Sequence, residues 1–117
     1  MTSLKLYDIP EWKKKKIEEL AKKDPMKLTR QEVAFILEVR HERLFGKEGV
    51  EKVKKQYGPD DFYKEADGIL LTKEWDPELY ELSIRREIEI ARGNYTPGKG
   101  VFARKYAVPP YVYFPSR

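Results

Sequence analysis

Between Gly93 and Arg117 the chain sets Lys99, Arg104, Lys105 and Arg117 among Tyr95, Phe102, Tyr106, Tyr111, Tyr113 and Phe114. Cations in such a segment can neutralise phosphates, and aromatic rings can stack on unpaired bases at about 1–3 kcal/mol per base. The same side chains equally suit a groove on a protein, where Tyr, Phe and Arg are the usual anchors and an extended segment docks at low entropic cost. A third use is internal: the segment folds back, and Val101, Phe102 and the tyrosines supplement the core. The stretch holds no Asp or Glu, and Gly93, Gly98, Gly100, Pro97, Pro109, Pro110 and Pro115 punctuate it. "NYTPGKG" is turn chemistry, "VFARKYAV" alternates weakly, as a short strand would, and the flanking prolines hold "YVYF" extended.

No other constellation passes a chemical test. "GNYTPGKG" has the glycine and lysine spacing of a phosphate-binding loop, but Gly100 stands where the magnesium-holding Ser or Thr belongs. A helical pattern precedes it and a proline-broken segment follows, the reverse of the strand and helix such a loop requires. His41 is the single histidine, and a helix-surface pairing with Glu38 or Glu42 accounts for it more simply than general-base catalysis. Asp60, Asp61, Glu65 and Asp67 do not have calcium-loop spacing, and acids at a helix start are favoured by the macrodipole. Ser3, Ser83 and Ser116 lack a nucleophile-elbow context. The expectation is no enzyme, no cofactor and no metal. Lys13–Lys16 form the densest cationic run, but four consecutive residues point around a whole helix, and Glu11, Glu18 and Glu19 flank them.

The elements that must carry these residues are helical. Asp8-Ile9-Pro10 predicts a first helix start, with Asp8 or a neighbour capping and Pro10 in the first turn, and Asp24-Pro25 an end. Ile9, Trp12, Ile17, Leu20 and Ala21 approximate its apolar face. Thr29 and Glu32 form a capping box, and Leu28 and Val33 a hydrophobic staple. The helix they start should be central and end at Gly46, with Val33, Ile36, Leu37 and Leu44 in one stripe widened by Phe35, Val39 and Phe45. Val50, Val53 and Tyr57 predict a further helix ended by Gly58-Pro59. "PDDFYKEADG" reads as a further short helical turn closed by Gly68, and "ILLT" as a core-crossing connection or brief strand. Asp76-Pro77 opens a last helix to Gly93, with Tyr80, Ile84, Ile88 and Ala91 inward and Glu81–Arg85 and Arg85–Glu89 as i,i+4 pairs.

Size and charge set the frame. At 117 residues the chain suits one domain with a modest core. It contains no Cys, so disulfides and thiol chemistry are excluded, and the only amides are Gln31, Gln56 and Asn94. Scarce amides and interleaved Lys and Glu resemble hyperthermophile composition, as do Lys/Glu-rich helices of mesophiles. All 20 acidic residues and 20 of the 24 basic ones precede residue 93, so the formal excess of +4 sits in the tail. No run of apolar residues is long enough to span a membrane, and the first residues do not read as a secretory signal.

The expected fold is therefore all-α or mostly α: a single small bundle of four to five short helices over residues 1–92, with an extended basic, Pro- and Tyr-rich arm over 93–117. The expected role is a non-catalytic structural or adaptor subunit, docking on a larger protein or nucleoprotein assembly through Lys99, Phe102, Arg104, Lys105, Tyr106, Tyr111, Tyr113 and Phe114. The alternative is a stand-alone nucleic-acid-binding protein that uses the arm and the helix lysines; a homo-oligomer is compatible with either. The expected setting is intracellular, in the cytoplasm or in an organelle or virion assembly, with no membrane contact.

Overall fold

The structure, a computed structural model, describes residues 6–94. They form four α-helices and no strand: α1 Glu11–Ala21, α2 Arg30–Tyr57, α3 Asp61–Trp75 and α4 Pro77–Arg92, with a 3-10 turn at Pro25–Lys27. The fold of these residues is all-α. Helix α2 is the centre, packed against both α3 and α4, which also pack on each other; α1 leans mainly on α4. No helix among the described residues is long and apolar enough to cross a membrane.

The start of α2 follows local chemistry. The Thr29 hydroxyl accepts from the Glu32 N–H at 3.2 Å, and the Glu32 carboxylate accepts from the Thr29 N–H at 2.9 Å. Leu28 and Val33 are both buried, as a staple across this cap requires. Asp76 caps α4 by accepting from the Leu79 N–H at 3.1 Å, and Pro77 needs no donor partner in the first turn.

Gly46 interrupts the second helix, as expected: it takes φ +79° and ψ 173°, outside the helical region, and a second helical run to Tyr57 follows at once, so α2 is two runs meeting at a kink. No proline occurs between Gly46 and Gly58, and the second run places Val50 in the core. The kink requires glycine twice over: L-residues avoid that φ, and a Cβ would lie 3.2 Å from the Tyr7 ring. Gly68, by contrast, does not close the short helical turn expected before it. Helix α3 runs through it and absorbs "ILLT", because Phe62 and Ala66 continue in register to Ile69 and Leu70 against the core. Burying those side chains outweighs the cost of about 1 kcal/mol for a glycine within a helix.

The core joins Ile9, Ile17 and Leu20 to Leu28, Val33, Ile36, Leu37 and Val39 of the α2 region, Phe62 and Ala66 of α3, and Tyr80, Ile84, Ile88 and Ala91 of α4. Four expected apolar positions depart from it. Trp12 and Phe45 are more than half exposed, Tyr57 likewise, and Leu44 is only partly buried. Trp12 instead lies against Phe35, ring centroids 5.9 Å apart. Helix α1 begins after Pro10 with no side-chain cap; the Asp8 carboxylate is drawn to Lys14 at 3.0 Å instead. Of the two i,i+4 pairs, Glu81–Arg85 forms at 2.9 Å, whereas Glu89 turns to Arg92 at 2.9 Å.

Tyr80 ties the first turn of α4 to the connection between α1 and α2. It is wholly buried, and its hydroxyl donates to the Pro25 carbonyl oxygen at 2.7 Å. Burial, with a smaller contribution from the Asp24 charge, pushes its phenol up to about 12. An unfolded tyrosine ionises first as pH rises, so this contribution to stability is whole below pH 10 and is lost between 10 and about 12.

Two predictions follow from this bonding. Thr29→Ala should lower stability by about 0.5–2 kcal/mol in urea titrations. Thr72 makes only an exposed 3.3 Å bond back to the Gly68 carbonyl, so Thr72→Ala should stay within about 0.5 kcal/mol. Tyr80→Phe leaves the Pro25 carbonyl with only its long 3.4 Å bond from the Leu28 N–H and should cost about 1–2 kcal/mol near neutral pH. Urea titrations at a series of pH values should show that gap narrowing above pH 10, because only the tyrosine protein carries the alkaline decline.

Candidate functional site

The eight expected contact residues, Lys99, Phe102, Arg104, Lys105, Tyr106, Tyr111, Tyr113 and Phe114, lie outside the described residues. The root of the arm lies within them. At the end of α4 the last helical carbonyls need donors from elsewhere. Gly93 adopts the left-handed conformation, φ +91°, its N–H donates to Ile90 O at 2.9 Å, and the Asn94 N–H donates to Glu89 O at 2.9 Å. This is the Schellman termination.

Arg43 of α2 completes it. Its guanidinium donates to Ala91 O at 3.0 Å, to Arg92 O at 3.4 Å and to Tyr7 O at 3.0 Å. The Tyr7 N–H returns a bond to Arg43 O at 2.8 Å. One side chain, itself only 11% exposed, thus ties the N-terminal segment, the middle of α2 and the end of α4 together. A cation at a helix C-terminus is also favoured by the macrodipole. Arg92 adds a bridge to Glu18 of α1 at 2.9 Å. All three flanking elements therefore fix the point from which the arm departs.

The other polar groups do structural work. Lys13 reaches the buried Glu42 carboxylate at 2.6 Å, joining α1 to α2. Lys14 pairs with Asp8 and Glu11, and Lys16 lies over the Phe35 ring, 5.2 Å from its centroid. Among the described residues only Lys15 of the four-lysine run has no such partner. His41 does not pair with Glu38 or Glu42, which are taken by Lys54 and Lys13. Its half-buried ring stacks instead between Phe45 and Phe62, centroids 4.7 and 5.7 Å away, and burial lowers its pKa. Glu87 is buried with Arg40 Nε 2.8 Å from its Oε1, an ion contact whose alignment is too poor for a hydrogen bond. Burial pushes the Glu87 carboxyl up, while Arg40 and Arg86 pull it down. Among the described residues no three His, Asp or Glu side chains gather as a metal site would need.

A second surface emerges that the chain-wide charge sum conceals. Residues 1–58 hold fifteen Lys and Arg against ten Asp and Glu, and residues 59–92 hold five against ten. The acidic half carries the exposed face of α3, where Leu71 and Trp75 stand 57% and 67% exposed, one helical turn apart. The i,i+4 spacing of Leu71 and Trp75 and the run of acids from Asp60 to Glu78 are both visible in the sequence. Their joint exposure required knowing which face of α3 meets the core.

Compared with protein-family models, with curated proteins and with solved structures, the chain matches none.

The Arg43 clamp is testable. Arg43→Met keeps much of the aliphatic stem and removes the donors, so it should cost about 2–3 kcal/mol, near the upper range for charge-assisted hydrogen bonds. Hydrogen exchange should show early opening of the last turn of α4 in this variant while the centre of α2 stays protected. An unchanged exchange rate at Gly93 and Asn94 would show that the clamp does not hold the arm's root.

Proposed function

We propose that the protein is a non-catalytic structural or adaptor subunit, a helical platform that docks onto a larger protein or nucleoprotein assembly through its C-terminal arm. The observation that carries this reading is the placement of the arm's root. Helices α1 to α4 pack a buried cluster from Ile9 to Ala91 among themselves, and Arg43 and the Gly93 termination fix the position from which residues 95–117 leave. A fixed origin lowers the entropy that a docking segment loses on binding. The segment itself supplies Tyr, Phe and Arg, the residue types that dominate binding energy at protein interfaces.

The test compares the full-length protein with a chain ending at Asn94, which retains both hydrogen bonds of the α4 termination. Immobilised full-length protein should retain a reproducible assembly, identified by mass spectrometry, and the 1–94 chain should lose it while keeping helical circular dichroism and a cooperative melt. Tyr106→Ala, Tyr111→Ala and Tyr113→Ala should weaken retention more than Lys99→Ala, since buried aromatic anchors contribute about 2 kcal/mol or more each. Release by nuclease, with a salt slope that becomes shallower by about 1 on neutralising each of Lys99, Arg104 and Lys105, would transfer the role to nucleic-acid binding. Equal retention by the two chains would sink the proposal.

A further inference from the structure

Of the six exposed large apolar side chains, three rest on a neighbour: Trp12 on Phe35, Phe45 on His41, and Tyr7 over Gly46. Among the described residues Tyr57, Leu71 and Trp75 make no ring contact of this kind, and only Leu71 and Trp75 stand together on one helix face. They share the outward face of α3 with Gly68, at i, i+3 and i+7, and a Cβ added to Gly68 would meet nothing within 4 Å. The face is therefore a flat apolar strip with an open notch at one end. Helical spacing puts Asp67 and Glu74 along one side of the strip and Glu65 along the other, with Asp61 and Lys64 in line with it beyond Gly68. Asp67 is held by Arg30 at 2.7 Å and Glu65 feels the charge of Arg40, whereas Asp61 and Glu74 make no ion pair among the described residues. An apolar strip edged by carboxylates calls for an occupant that is cationic, aromatic and free of acidic groups.

We propose that in the free protein this face of α3 is occupied by the chain's own C-terminal arm. The arm has the complementary chemistry: Lys99, Arg104, Lys105 and Arg117, six aromatic rings and no carboxylate side chain. Its anchors also match in spacing. In an extended chain Tyr111 and Tyr113 fall on the same side, about 6.6 Å apart, and Leu71 and Trp75 are separated by about 6 Å along the helix axis. The tether is long enough. Seventeen residues from Asn94 to Tyr111 span up to about 55 Å, against a longest dimension of 36 Å for the body. Linkage to the same molecule gives an effective concentration in the millimolar range, which favours the chain's own arm over that of a second copy. The strip and its carboxylates thus keep the aromatic anchors covered until a competing surface takes them. This inference concerns the free protein and does not rest on what the arm binds in an assembly.

The test uses the full-length chain with Trp12→Phe, which leaves Trp75 as the single tryptophan. Acrylamide, an uncharged quencher, reports access to Trp75. With half or more of the molecules docked, the quenching constant should be about two-fold or more lower than in the same chain carrying Tyr111→Ser and Tyr113→Ser. Raising salt to about 0.5 M should remove much of the difference by screening the exposed charge pairs. The protection should be the same from about 1 to 100 µM protein, as an intramolecular contact requires. The serine substitutions change none of the residues of the described core, and unchanged circular dichroism should keep the comparison interpretable. Equal quenching with intact and altered arms would overturn the proposal. Protection that rises with protein concentration would also overturn it, and would assign the face to the arm of a second copy.

Discussion

An α-helix ends with carbonyls that its own backbone cannot satisfy, and at the end of α4 those carbonyls meet a guanidinium from the middle of α2. Arg43 takes Ala91 O and Arg92 O with one side of its fork and Tyr7 O with the other, and it has no room to do so unless α2 and α4 are already packed. The segment before α1, the kink of α2 and the origin of the arm are all positioned around this contact. Tyr7 is bonded to Arg43 in both directions and covers Gly46, so the kink and the clamp support each other. Arginine suits the position because its rigid fork of donors serves several acceptors at once, which a lysine ammonium on a flexible stem does less well.

The polar interior follows the same logic on a smaller scale. Lys13–Glu42 and Arg40–Glu87 each place a carboxylate in low-dielectric surroundings, where desolvation offsets much of the attraction. Such pairs add little net stability, but breaking one leaves an uncompensated charge, so they oppose slippage of α1 and α4 along α2. In this lean core, mostly aliphatic with Phe62 and Tyr80 as its buried rings, specificity of register comes largely from these pairs and from the Tyr80 bond to Pro25.

The division of charge has a functional consequence. A body whose charges cancel over its whole length still presents a basic half and an acidic half, because α1 and α2 collect the lysines while α3 and the start of α4 collect the acids. A cationic arm attached to such a body is attracted to one side of it and repelled by the other. The asymmetry falls where an unsupported apolar strip is also found.

Some features were legible in the sequence because their causes are local. The Thr29 capping box, the Asp76-Pro77 start, the Gly93 termination and the inward face of α4 each depend on residues within a turn or two of one another, so spacing and side-chain type suffice. Gly68 was misleading for the complementary reason. A glycine permits a break without requiring one, and whether the helix stops depends on what its continuation can bury, which is tertiary information. His41 likewise had acidic neighbours at pairing distance along the chain, but Lys13 and Lys54, from elsewhere in the fold, claimed those carboxylates and left the ring to Phe45 and Phe62. The sequence by itself determined an all-helical body, its caps and a cationic aromatic arm. Only the tertiary structure decided that Arg43 anchors the arm's root and that Leu71 and Trp75 face outward among acids. Both depend on contacts between residues far apart in the chain, which no periodicity within a single helix can specify.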